Sequence, residues 1–313
     1  MPILPSDAPA PKVAVLLGLF NGAVYLQAQL DSIVAQSLPP TRIIISDDGS
    51  TDGCGAVVDE FAANWDGEVL RMDGPQEGFA ANFLHLIRHC PDDHDMVALC
   101  DQDDVWLDGK LQQQWAALSG LDTPMLHGTR TLIVGADLAR TRVSRRMTID
   151  PSFTHALAQN MSGGNTLAFN RAGLALARRA AAKTRRIVAH DWWLYQLFTG
   201  AGAQVVHDPE PTLLYRQHGS NLMGENTSLA ALRHRAAKLG AGQYRDWTDV
   251  NLAALDSVAD MLTPQANETL AAFRAARAAS LPGRVAKFAL LGLRRQGVLG
   301  QLGLWAAMLS GEI

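Results

Sequence analysis

Asp101-Gln102-Asp103 sets two carboxylates at i and i+2 directly after an apolar run, Met96 to Cys100. Carboxylates leaving a strand at that spacing can converge on one hard cation. Mg²⁺ and Mn²⁺ take oxygen ligands and often complete their shells with substrate phosphates. A solvated acidic turn has the same sequence, so the motif alone leaves both readings open. Asp47-Asp48-Gly49-Ser50-Thr51-Asp52 also follows an apolar run. It reads as a strand-to-helix turn with Ser50 or Thr51 as the cap, or as a carboxylate site for a nucleobase N–H or ribose hydroxyls. In His190-Asp191-Trp192-Trp193 a carboxylate sits beside aromatic surface at a helix start. Partial desolvation there raises a pKa and suits a general base; a helix-dipole carboxylate is the alternative. His190 and Asp191 are adjacent and do not face each other on a helix, which argues against a relay between them. In Tyr215-Arg216-Gln217-His218, Arg216 has the fork for a diphosphate, and His218 can bind phosphate or join a metal shell.

The elements that must position these residues alternate. Val13–Phe20, Arg42–Ser46, Val69–Met72 and Met96–Cys100 read as strands, separated by helical patterns such as Leu26, Leu30, Ile33 and Val34. That order predicts a parallel sheet with helices on both faces and a ligand site beyond the strands' carboxyl ends, where both acidic runs fall. Further on, Leu126–Val134, Thr166–Phe169, Gln204–His207 and Thr212–Tyr215 read as strands, Ala172–Ala182 and His190–Phe198 as helices, and the chain from Leu229 as helical.

The 313 residues suffice for one large core plus an appended segment, and 48% apolar content implies a packed protein. The net charge of −4 argues against nucleic acid as a partner. Cys54, Cys90 and Cys100 form neither a disulfide framework nor a zinc pattern, which fits a reducing, cytoplasmic setting. Met1 to Lys12 lacks the order of a signal peptide and reads as a disordered lead. There is no apolar run of about 20 residues to make an ordinary transmembrane helix.

Taken together, the motifs resemble the family 2 glycosyltransferases of the GT-A fold, most closely the bacterial rhamnosyltransferase-like branch. The resemblance runs in order from Val13 to Gly224 through Asn21-Gly22, Gln29-Leu30-Asp31-Ser32-Ile33, Ile45 to Asp52, and Gly78 to Phe83. It continues through Cys100 to Trp106, Ser162 to Thr166, His190 to Trp193, and Tyr215 to His218. It implies an α/β fold with a Rossmann-like mixed sheet flanked by helices and a helical C-terminal segment. The implied division is a lead over 1–12, a catalytic domain over 13–224 and the helical segment over 225–313. It implies that Asn21, Asp48, Asp101 and Arg216 bind the donor nucleotide. Asp103, Asp101 and His218 hold Mn²⁺ or Mg²⁺, with Asp103 the direct ligand, and Asp191 is the catalytic base. The chain departs from many relatives in carrying Gly18-Leu19-Phe20 in place of a small hydroxyl residue and Tyr. It also carries Gly in Ser162-Gly163-Gly164-Asn165 where others have Cys or Ala.

The implied reaction is inverting transfer of a sugar, rhamnosyl from dTDP-rhamnose, from a nucleotide-diphosphate donor to a saccharide or lipid-linked acceptor of the cell envelope. Alternatives are another hexose from a UDP-sugar, a sugar nucleotidyltransferase, or an inactive sugar-nucleotide-binding protein. Leu19-Phe20-Asn21-Gly22-Ala23 lacks the basic Gly-rich loop of a nucleotidyltransferase. From Thr269 to Gly311 there is no acidic residue, and Arg and Lys interleave with Leu, Phe and Trp. Such a segment either packs on the catalytic domain or makes peripheral contact with the inner face of the cytoplasmic membrane.

Overall fold

The computed structural model describes residues 10–218 and 242–313. Val13–Leu19 (β1), Arg42–Asp47 (β2) and Met96–Cys100 (β4) are buried almost throughout. Their unbroken apolar runs follow from a sheet covered on both faces. On β1, Ala14 and Leu16 face Phe83, Ile87 and Trp193, while Val13, Val15 and Leu17 face Leu26, Leu30 and Val58. Truncating a side chain such as Leu16 to Ala should cost about 2–5 kcal/mol. Glu68–Asp73 (β3) completes a parallel set in the order β3-β2-β1-β4.

Helices Ala23–Val34 (α1), Cys54–Asn64 (α2), Phe79–His89 (α3) and Lys110–Leu118 (α4) alternate with these strands. Leu26, Leu30 and Ile33 are the buried stripe of α1. Beyond β4 the parallel expectation fails. Ala168–Asn170 (β8) runs antiparallel to β4 and to Met125–Val134 (β6). Val105–Trp106 (β5) lies antiparallel on Gln204–Arg216 (β9), and Arg140–Val143 (β7) on β6. The sheet is therefore mixed, as the family resemblance implies, and only the parallel reading of the strand–helix alternation is corrected. Apolar periodicity reports burial and not strand direction, which is why the sequence pattern missed this. The two strands expected over 204–207 and 212–215 are one strand, β9. Pro209 and Pro211 interrupt its pattern at the place where the β6–β9 register slips, between Gly128 and Arg130. Proline is tolerated at such irregularities.

Phe153–Ala158 (α5), Arg171–Lys183 (α6) and His190–Gly200 (α7) cover the sheet's second half. The Asn170 side chain caps α6 by accepting from the Gly173 amide. After residue 242 the chain is helical: Gln243–Asp256 (α8), Pro264–Arg277 (α9), Leu281–Leu291 (α10) and Val298–Ser310 (α11). Leu252, Leu255, Leu270 and Phe273 join the core that holds Trp193 and Phe198 of α7, so α8 and α9 share the core of the catalytic domain. The expected boundary at 224/225 and most of the lead lie outside the described residues. At the lead's end Lys12 is held, its amide donating to Asp95 at 2.8 Å. All three cysteines are free and buried. No described helix is long and apolar enough to cross a membrane.

Candidate active site

The loops after β1, β2 and β3 bind one another through carboxylates and backbone amides. The Asp47 carboxylate accepts from the Ser50 amide and meets Arg71 at 3.3 Å. Both Asp48 oxygens accept amides of the loop after β3, Gln76 at 2.7 Å and Gly78 at 2.8 Å. Gln76 holds a left-handed backbone with φ 60°, and Gly78 φ 91°, so this loop is a strained, pinned structure. The Asp52 carboxylate accepts from Ala23 at 2.8 Å and Cys54 at 3.2 Å, capping two helices at once. Neither Ser50 nor Thr51 is the cap: the Ser50 hydroxyl accepts from the Asn21 amide, and the Thr51 amide donates to the Asn21 side chain. Asn21, also left-handed at φ 50°, therefore ties the first loop to the second. Burial works to raise the Asp52 carboxyl, but the amides of Ala23 and Cys54 outweigh it and hold it below the usual range.

Gln102 joins this half to the acidic loop. Its Oε1 accepts from the Phe20 amide at 2.7 Å, and its Nε2 donates to the Phe20 carbonyl at 2.8 Å. A β-carbon at residue 22 would stand 2.5 Å from the Gln102 side chain, so only glycine fits there.

The loop after β4 is different in kind. Asp104 is wholly buried, with one oxygen accepting from the Asn165 side chain at 2.5 Å and the other from the Arg216 amide at 3.1 Å. Asp103 Oδ2 lies 2.9 Å from His218 Nε2. None of these hydrogen bonds reaches the Asp101 carboxylate. Burial, then the charges of Asp104, Asp103 and Asp191, push the Asp101 carboxyl well up. Burial and Asp103 also raise Asp104. Lys110, a cation buried beneath the cluster, donates to the Asn165 carbonyl at 3.1 Å. Burial lowers its pKa to about 7.

Arg216 is anchored beside the acidic loop. Its Nε donates to the Asp103 carbonyl at 2.9 Å and its Nη1 to the Ala136 carbonyl at 2.6 Å, and its guanidinium stacks over Tyr25. It braces the acidic loop from behind. The His218 ring packs on the same Tyr25 at 4.8 Å.

Asp191 opens α7, where its Oδ1 accepts from the Trp192 amide at 2.7 Å. Burial raises its carboxyl to about 6, against hydrogen bonds from the Trp192 amide, the Asn160 side chain and the Gly164 amide. His190 forms no relay with it. The imidazole stacks on Phe83 at 3.7 Å, and burial lowers its pKa to about 3. A β-carbon at Gly164 would fall 1.9 Å from His190 Nε2, which accounts for glycine in that motif. Gly164 abuts His190 while Asn165 grips Asp104, so one two-residue step sets the spacing between Asp191 and the acidic loop.

The structure thus brings Asp101, Asp103, His218 and Asp191 to one acidic space at the sheet's carboxyl edge. It leaves Asn21, Asp48 and Arg216 making contacts within the protein. Sequence reasoning gave no role to Asp104, Asn165, Lys110, Asn160 or Tyr25. Asp104 and Asn165 lay inside quoted motifs, but their partnership spans 61 residues and carries no local signal. The donor set of carboxylates and one imidazole suits a hard or borderline divalent cation. No three such side chains among the described residues would hold an ion by themselves. The set therefore fits a cation whose shell is completed by substrate phosphates.

The model of the family described as Glycosyl transferase family 2 matches residues 15–186, more than half of the chain. The chain belongs to glycosyltransferase family 2. This glycosyltransferase is similar to the dTDP-rhamnosyl transferase RfbG of Shigella flexneri, 26% identical over 244 residues, 73% of this chain and 81% of that protein. It also resembles the putative glycosyltransferase EpsE of Bacillus subtilis, 30% identical over 124 residues, 39% of this chain and 44% of the relative. Among solved structures, the Pyrobaculum calidifontis mannosyltransferase PcManGT, in complex with GDP-Man and Mn²⁺, shares the fold at TM-score 0.54 and 18% identity. That match covers 99% of this chain and 89% of the other. S. aureus TarS 1-349 in complex with UDP-GlcNAc does so at TM-score 0.56 and 13% identity, covering 96% and 82%. The GT-A-type fold of this glycosyltransferase accords with both.

Proposed function

We propose that this glycosyltransferase moves a sugar, with inversion, from a nucleotide-diphosphate donor to an acceptor hydroxyl, using a divalent cation. The observation that carries the proposal is the meeting of Asp101, Asp103 and His218 with Asp191, whose carboxyl is raised to about 6. Asp103 and His218, with Asp101 beside them, would hold Mn²⁺ or Mg²⁺. When bound, the cation supplies Lewis-acid neutralisation of the departing diphosphate. Asp48 holds the 76–78 loop in register for the nucleotide, Asn21 fixes the first loop, and Arg216 steadies Asp103 through its carbonyl.

Asp191 takes the proton from the acceptor hydroxyl as that oxygen attacks the anomeric carbon. The bond from that carbon to the diphosphate oxygen breaks as the new bond forms, through an oxocarbenium-like transition state. A base pKa near 6 leaves Asp191 ionised at neutral pH yet basic enough to share the proton. No residue is glycosylated, so one displacement inverts the centre.

A rhamnosyl donor, dTDP-rhamnose, is supported by the likeness to RfbG. The acceptor is a saccharide or lipid-linked glycan of the cell envelope. The test is transfer from dTDP-rhamnose, UDP-hexoses and GDP-mannose with Mn²⁺, with Mg²⁺ and with excess chelator. Transfer should vanish with chelator and return with metal. Full transfer in chelator would sink the cation role, and preference for a UDP-hexose would replace the rhamnosyl donor.

A further inference from the structure

The last two helices carry a surface for which the catalytic reading has no use. They run antiparallel, with Arg284 near the start of α10 donating to the carbonyl of Met308 near the end of α11 at 3.4 Å. Phe288, Leu304 and Met308 turn into the core. Outward face Leu281, Leu290, Val298, Leu299, Leu302 and Leu309, exposed by 50% to 87%. These are six of the ten large apolar side chains exposed among the described residues, so the exposure is concentrated and not scattered. Leu299, Leu302 and Leu309 share one face of α11 by their spacing. Every residue of α11 is uncharged.

Cations border this apolar ridge. Lys287 on α10 and Arg294 in the connecting turn are exposed, and Arg145 reaches the same turn, its Nη1 lying 3.4 Å from a β-carbon placed at Gly297. No Asp or Glu occurs between Thr269 and Gly311, and the adjoining Glu312 pairs with Arg245 at 3.2 Å. A second copy is a poor occupant, because a two-fold contact would set these cations against their own images. An anionic surface complements both the leucines and the charges.

We propose that the α10–α11 hairpin seats this protein on an anionic lipid bilayer, with its leucines entering the headgroup boundary and its cations meeting lipid phosphates. The connecting turn is fixed to the loops that follow α5 and β7. The Gln296 amide donates to Gln159 Oε1 at 2.9 Å, and the Gln296 side chain to the Arg146 carbonyl. Gln159 precedes Asn160, whose side chain hydrogen-bonds Asp191. The bilayer therefore lies against the Asp191 side of the site, where an acceptor on a lipid carrier would arrive; this last step rests on the function proposed above, and the docking surface does not.

The test is co-sedimentation of the full chain with phosphatidylcholine vesicles, with and without phosphatidylglycerol. The protein should pellet with the anionic vesicles only, and less at high salt. Leu299→Glu with Leu302→Glu should weaken binding at least about tenfold, while thermal unfolding and transfer to a soluble acceptor stay unchanged. Lys287→Gln with Arg294→Gln should reduce anionic binding with the leucines intact. Absence from both pellets, equal binding by the leucine variant, or a wild-type dimer that this variant makes monomeric would overturn the proposal. Vesicle binding by a chain that transfers no sugar would leave the surface standing and remove the reading of the site.

Discussion

Two groups of carboxylates border the same cleft and are treated in opposite ways. In the loops after β1, β2 and β3, the oxygens of Asp47, Asp48 and Asp52 are met by backbone amides or Arg71. Around β4 and α7, Asp104 is buried and Asp101 and Asp191 are largely so, and desolvation together with neighbouring carboxylates outweighs the hydrogen bonds they accept and raises all three. The first group is held by contacts within the protein and ties its loops together. The second stores like-charge repulsion that a cation or a proton relieves. Catalytic electrostatics here sit where the protein leaves charge uncompensated.

The sharpest break of this contrast is Asp191→Asn. Loss of a general base should slow turnover by about 10²–10⁴-fold, with donor affinity nearly unchanged if this side chain serves the acceptor as proposed. The same variant should be more stable at neutral pH. Asp191 rises from 3.8 in the unfolded chain to about 6, so its ionised form costs the fold roughly 1–3 kcal/mol above that pH. Calorimetry with single-turnover kinetics checks both; near-normal turnover would move the base role elsewhere, and a loss of stability would make Asp191 a structural cap. In the wild type, turnover should fall about tenfold per pH unit below about pH 6, as the base protonates.

Next in size, Asp103→Asn should reduce turnover by about 10²–10³-fold and abolish the metal-dependent part of donor binding. Titration of donor with and without Mn²⁺ reads this, and unchanged metal dependence would move the cation away from Asp103.

The parallel half of the fold was legible because its strands are continuous apolar runs, and the acidic loops were legible because they end those runs. The second half was legible in its longer elements, Leu126–Val134, Ala172–Ala182 and His190–Phe198, but not in how its strands pair. Antiparallel β8 has three residues, and β9 hides behind Asp208-Pro209-Glu210-Pro211. For the site, residue type indicated chemistry but not allegiance. Asp48 and Asp103 look alike in sequence, and only the folded chain shows that amides saturate one while a histidine meets the other. The carbonyl partners of Arg216 were hidden for the same reason, standing 113 and 80 residues away.

Smaller effects probe the first group. Asp48→Ala strips the acceptor from the Gln76 and Gly78 amides and should cost about 1–3 kcal/mol, with donor affinity down about tenfold as the loop shifts. Denaturant melts and nucleotide titration measure it, and an unchanged melt would show the loop to be held otherwise. Asp52→Ala, which uncaps two helices, should cost about 1 kcal/mol and leave turnover almost untouched. Its contribution should be present above pH 3.8 and fade as pH falls through its lowered value. Asp191 acts oppositely, because its protonation removes the cost of the buried charge and favours the fold as pH falls from about 6 toward 4. A stability profile in which both variants parallel the wild type would erase the distinction between the groups.

The paired hydrogen bonds between Gln102 and the Phe20 backbone bear on how the molecule assembles. Their partners are 82 residues apart, and contacts of that separation close late in folding because a long loop must be ordered first. The acidic loop takes its shape only once β1 and β4 lie side by side. Donor and cation thus find no foothold on a half-assembled chain. They act as brakes on unfolding and not as nuclei for folding, and a newly made chain reaches its native state before it can meet its substrate.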